Sequence, residues 1–182
     1  SDPHITDENP IPSAIGQGSH SYTNTQFNRY ALTLANRGTT LKLNLISHIN
    51  SPTGAIMQTF ERTVTGQSAF SQDSWDTVWE GMRRVITDGS YNTLFADTPV
   101  TVAGKTGTAE ENKLRPNHAN FVCFAPYESP QVAVTVSIPN GYTAANAVLV
   151  AKDVLDYHFG KIDLDSILNS SASDSNVVDE NE

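Results

Sequence analysis

The stretch "VAGKTGTAEEN", Val102 to Asn112, decides how the rest of the chain is read. A short apolar run leads into a lysine, two threonines and small residues. If Val100 to Ala109 is a strand, side chains alternate between its faces, so Thr106 and Thr108 project from one face and Lys105 and Gly107 from the other. Two hydroxyls two residues apart can both donate to one carboxylate. Lys105 adds a cation on a stem long enough to reach round to the same place. Gly107 leaves room for close approach of the backbone. On an edge strand, the Thr108 N–H is placed to meet an oxyanion. Four residues thus hold the parts that orient an acyl donor by its carboxylate. A tetrapeptide also matches by accident, as any surface strand can carry Lys and Thr, so the stretch needs company.

Upstream, "TNTQFNRYALTLANRG" predicts a helix. Thr23 followed by Gln26 matches a capping box, Phe27, Tyr30, Ala31 and Leu34 form one stripe, and Gly38 stands where a C-terminal glycine belongs. Leu41, Leu43 and Leu45 alternate in "LKLNLISHI", which predicts a strand; Pro52 to Gly54 turn it into a second one near Ile56 to Phe60. "SWDTVWEGMRRVITDG" predicts an amphipathic helix with Trp75, Val78, Trp79, Met82, Val85 and Ile86 on its apolar face, stopped at Gly89. Three strand-like runs follow, Val100 to Thr106, Asn120 to Ala125 and Val132 to Ile138, the last two joined by the hairpin-length "PYESP". "TAANAVLVAKDVLDYHFG" predicts a closing helix. Short connections favour antiparallel pairing, and Phe121 to Ala125 is apolar at successive positions, as in a strand covered on both faces. The expected class is α+β: a mainly antiparallel sheet with helices on both faces.

The 182 residues suffice for one domain or a large part of one. Residues 1–20, with three prolines and Gly-Gln-Gly, read as a loop leading in, and 21–160 as the ordered portion. The chain after residue 160, above all Ser166 to Glu182, reads as an acidic disordered tail. A net charge of −9 leaves no basic face for nucleic acid. No apolar run reaches the length of a membrane span, so no membrane contact by this segment is expected. The single cysteine, Cys123, lies among apolar neighbours and reads as core. Five histidines lack metal-ligand spacing.

Taken together, "AIGQGSHSYTNTQFNRYALTLANRG" and "VAGKTGTAEEN…NHANFVCFAP" resemble the C-terminal part of the transpeptidase domain of class B penicillin-binding proteins, over roughly residues 14–160. The family's Gly-Gln-Gly loop matches Gly16 to Gly18, its following helix matches Thr23, Gln26 and Leu34 to Gly38, its Lys-Thr-Gly-Thr-Ala matches Lys105 to Ala109, and its next strand matches His118 to Pro126. Asn120 stands where the family usually has tryptophan, and Arg37 where it usually has glycine. The resemblance implies a partial β-lactamase-like fold. It implies that Lys105, Thr106, Gly107 and Thr108 bind the carboxylate of a peptidoglycan stem peptide or a β-lactam. The catalytic part falls to Lys105 and Thr108, the latter sharing the oxyanion hole. It puts His118 at the cleft border, although a polar strand start is the simpler reading of that residue. It calls for no metal or cofactor. The parent is then a membrane-anchored enzyme whose domain works on the extracytoplasmic side, cross-linking peptidoglycan.

The family's nucleophile motif, Ser-x-x-Lys, is absent. Three residues before Lys42, Lys105, Lys113, Lys152 and Lys161 stand Thr39, Val102, Glu110, Leu149 and His158. Ser90-Tyr91-Asn92 fits the second motif, Ser-x-Asn, in letters only; it follows a helix, where a turn is expected. The chain alone is therefore expected to be inactive, with the reactive half of the domain as its partner, and the edge of Val132 to Ile138 lacks the strands that half would bring. Two further readings stand beside it: a β-lactam-sensing receptor domain, and a non-catalytic module for contacts within a cell-wall complex.

Overall fold

The computed structural model describes residues 22–110 and 114–169. The first helix, α1 (Asn24–Ala35), begins where the capping box puts it: the Gln26 N–H donates to the Thr23 hydroxyl at 3.2 Å and the Thr23 N–H to Gln26 Oε1 at 2.9 Å. Its end turns through two left-handed residues, Arg37 (φ 49°) and Gly38 (φ 91°). Glycine is required at the second, because a Cβ there would stand 2.7 Å from both Ser68 Oγ and the Trp75 ring. Arg37 bears its strained backbone with two side-chain anchors, an ion pair with Asp76 and a seat 3.9 Å from the centre of the Trp79 ring.

The next segment differs from expectation. Leu41, Leu43 and Leu45 do not share a strand. β1 (Thr39–Leu41) ends early and pairs antiparallel with β4 (Val64–Gln67), whereas β2 (His48–Asn50) and β3 (Ile56–Thr59) form a separate two-stranded ribbon. Alternation marks a strand when one face is buried; here Leu43 and Leu45 are exposed and every residue of β2 and β3 faces solvent. The ribbon's second strand does fall at the predicted Ile56.

The second helix, α2 (Gln72–Thr87), buries Trp75, Trp79, Met82 and Ile86. A turn through Ser90 and Tyr91 leads to the short α3 (Asn92–Phe95), and Asn92 Nδ2 donates to the Thr87 carbonyl at 2.7 Å. Ser90-Tyr91-Asn92 is thus a helix-linking turn, as read from the sequence.

β5 (Ala103–Ala109), β6 (His118–Ala125) and β7 (Val132–Ile138) form an antiparallel sheet with β6 in the centre. The register pairs Gly107 with Asn120 and Thr108 with Ala119 across β5–β6, and Asn120 with Ser137 across β6–β7. Residues opposite one another share a face. Ala119, Phe121, Cys123 and Ala125 turn to the face covered by α4 (Ala144–His158), with Ala147, Val148, Ala151 and Leu155 against them. Val122 and Phe124 turn to the other, where Leu34 of α1 and Trp79 and Met82 of α2 cover them. Helices on both faces of an antiparallel sheet is the expected class. Cys123 is core, and burial pushes its thiol up to about 12. The outer edges of β5 and β7 carry no strand partner among the described residues.

At its C-terminal end α4 carries Asp156, buried and bonded by Lys152 and Lys161, which also hold Asp97 before β5. These two lysines keep the Asp97 carboxyl down at about 2. The segment read as a tail begins with a short helix, α5 (Leu164–Asn169), that buries no residue; residues 1–21, with the Gly-Gln-Gly loop, and 170–182 lie outside the described part.

Candidate functional site

β5 is held from both sides. Its first residues, Ala103 and Gly104, are buried under α2 and against Phe121; Lys105 is exposed, and Thr106 to Ala109 run half-buried along the sheet edge. The two glycines of the strand differ in what they permit. A Cβ on Gly104 would meet the Phe121 ring at 2.5 Å and the Val122 carbonyl at 3.0 Å. A Cβ on Gly107 would meet only Asn120 Cβ, at an ordinary 3.5 Å. The sequence points to Gly107 as the place of close packing; the steric demand is instead at Gly104, and the space above Gly107 is open. Gly104→Ala is therefore expected to lower the melting temperature through an overpacking cost of about 1–3 kcal/mol, and Gly107→Ala to leave it nearly unchanged. Equal losses in thermal melts of the two variants would show that Gly107 is packed after all.

The lysine and threonines sit on opposite faces of β5, as alternation requires. Lys105 and Gly107 share the α1–α2 face with Asn120 and Val122; Thr106 and Thr108 share the other with Phe121 and Ala119. The lysine bends back to the strand's own backbone. Its ammonium donates to the Thr106 carbonyl at 2.8 Å, so the charge is drawn against the backbone of the threonine pair. Lys105, Thr106, Gly107 and Thr108 thus lie together on one edge strand.

On the Lys105 face the strand borders a groove of about 490 Å³, walled by Phe27 and Tyr30 of α1, Met82 of α2 and Val122, with Lys105 and Gly107 on its β5 side. The helical stripe of α1 reads in the sequence as core, yet Tyr30 is 55% exposed and stacks at 6.5 Å on Phe27 at the groove wall. Asn120, singled out in the sequence as a departure from the family pattern, is a further lining residue. His118 pairs in register with Ala109, just past the threonines, and its Nδ1 accepts the Asn140 N–H at 3.0 Å, which ties the ring to the turn before α4. No helix among the described residues is long and apolar enough to cross a membrane.

Comparison with known proteins agrees with this architecture. The chain is 29% identical over 170 residues to the peptidoglycan D,D-transpeptidase MrdA of Haemophilus influenzae, covering 83% of this chain and 26% of that protein. It is 27% identical to penicillin-binding protein 2B of Streptococcus pneumoniae, covering 82% of this chain and 24% of that one. The chain therefore spans about a quarter of the length of these relatives. Among solved structures, an imipenem acyl-enzyme complex of penicillin-binding protein A from M. tuberculosis superposes with a TM-score of 0.71 at 30% identity, over 82% of this chain and 35% of that one. Penicillin-binding protein 2B of Streptococcus pneumoniae gives 0.73 at 25% identity, over 87% and 28%. Residues 6–156 match the model of the penicillin binding protein transpeptidase domain, the greater part of the sequence and the whole of the three-stranded sheet, and the chain belongs to that family.

Proposed function

We propose that this chain forms the C-terminal part of a serine D,D-transpeptidase that cross-links peptidoglycan. Its β5 edge holds the terminal carboxylate of a stem peptide, or that of a β-lactam in its place. The observation that supports the reading is the Lys105 ammonium drawn to the Thr106 carbonyl on an edge strand, which brings a charge beside the two threonines that would share one anion with it. Lys105 supplies the field, and Thr106 and Thr108 the hydroxyl donors. Gly107 keeps the space between them clear, and the main-chain N–H of Thr108 belongs to the oxyanion hole in the same proposal. The nucleophilic serine comes from the rest of the domain. It attacks the penultimate D-Ala carbonyl, terminal D-Ala leaves, and an amine of a second stem takes the acyl group. By the same reading the domain works on the extracytoplasmic side of the cell membrane. His118 borders the far end of the cleft. No metal or cofactor enters this chemistry.

The test is acylation of the full-length protein that carries this segment by a fluorescent penicillin. Lys105→Ala is expected to slow acylation about 100-fold, the usual cost of removing one electrostatic donor from such a site. Its melting temperature should hardly move, because the side chain is exposed and its one described bond is to a backbone carbonyl. Unchanged acylation kinetics would remove Lys105 from the site.

A further inference from the structure

Along β6 the face turned to α1 and α2 carries Asn120, Val122 and Phe124, of which the last two are buried in the core. With His118 before it on the same face, Asn120 stands where the row passes from polar to apolar, and it lines the groove beside Lys105. Asn120 is half-buried at the open groove, so its amide can meet a ligand as well as the protein. The Ser137 hydroxyl, directly across on β7, donates to Asn120 Oδ1 at 2.7 Å. With Oδ1 committed toward β7, geometry turns Nδ2 away from that strand, toward β5 and the groove. The residue opposite it on β5 is Gly107, whose missing side chain leaves the way open. No described residue accepts from that nitrogen.

We propose that Asn120 is a specificity-determining contact of the cleft, donating from Nδ2, across Gly107, to a carbonyl or carboxylate oxygen of the acyl ligand lying along β5. The inference rests on the reading of β5 as the carboxylate-binding strand. Ser137 acts through Asn120 as a positioning residue, since its hydroxyl holds the amide with the donor outward. The ligand class is an acyl peptide or β-lactam with an oxygen acceptor over Gly107.

Three substitutions in the full-length protein separate a donor from a merely structural residue, with benzylpenicillin as the probe and melting temperature as the control. Asn120→Leu removes the donor and suits the apolar groove. Acylation should fall about 3- to 10-fold, the worth of one hydrogen bond, with the melting temperature unchanged or raised. Asn120→Asp keeps the shape and the acceptor for Ser137 but faces the anionic drug with a carboxylate, and its acylation should fall further than that of the leucine variant. A structural role gives the opposite order, with Asp mildest. Ser137→Ala should cost less than Asn120→Leu and add nothing to it in the double variant. Asn120→Asp acylating at the wild-type rate overturns the proposal. Failure of the folded wild-type protein to react with benzylpenicillin overturns the transpeptidase reading itself, and this inference with it.

Discussion

Incubated with benzylpenicillin at neutral pH, the 182-residue chain is expected to gain no mass. Serine acylation needs a hydroxyl paired with a base, and no serine here stands three residues before a lysine. Among the described residues, three of the lysines already have partners. Lys105 donates to the Thr106 carbonyl, and Lys152 and Lys161 are committed to Asp97 and Asp156. Ser90, the serine of the false Ser-x-Asn match, lies in an exposed turn between α2 and α3. Non-covalent affinity should be weak as well, since the groove beside β5 is open and a one-sided surface buries little of a ligand. Intact-mass spectrometry after long incubation decides it. A stoichiometric adduct mapped to any serine would mean that this chain carries its own reactive centre, and that the assignment of the nucleophile to the rest of the domain is wrong.

How far the sequence could be read depended on the range of the interactions concerned. The start of α1 was legible because Thr23 and Gln26 bond each other within one turn. The division of Lys105 and Gly107 from Thr106 and Thr108 was legible because strand geometry alone enforces it. Leu41, Leu43 and Leu45 misled because alternation announces a strand only where a second layer covers one side, and nothing among the described residues covers Leu45. Asn120 could be seen as a departure from the family pattern but not as a donor: its direction is set by Ser137, seventeen residues later on a neighbouring strand. Arg37 likewise replaces a glycine at a left-handed position, and what makes that tolerable is Asp76 and Trp79, about forty residues away. The packing of Gly104 under Phe121 was equally hidden, since both letters are common in strands.

Trp79→Ala is expected to cost about 3–5 kcal/mol, the range for emptying a buried aromatic site. Several contacts of the α1–α2 face meet at this ring. It is 5% exposed, lies 4.8 Å from the Phe124 ring and 5.8 Å from the Tyr127 ring, and carries the Arg37 guanidinium at 3.9 Å. Its indole N–H donates to the Leu34 carbonyl at 2.8 Å, which joins α2 to the end of α1. Trp75, one turn earlier, offers the control. It is buried to a similar degree, but its indole nitrogen has no partner among the described residues. Replacing each by phenylalanine therefore separates the two. Trp79→Phe loses a buried hydrogen bond and part of the surface under Arg37, and should be destabilised. Trp75→Phe loses ring volume but also removes an unsatisfied N–H, so its net cost should be clearly smaller. Urea unfolding of the four proteins reads this directly, with stability losses in the order Trp79→Ala, Trp79→Phe, Trp75→Phe. If Trp75→Phe proves as damaging as Trp79→Phe, the bond to Leu34 carries no special weight. The groove beside β5, whose far wall is α1, would then be held by ring volume alone.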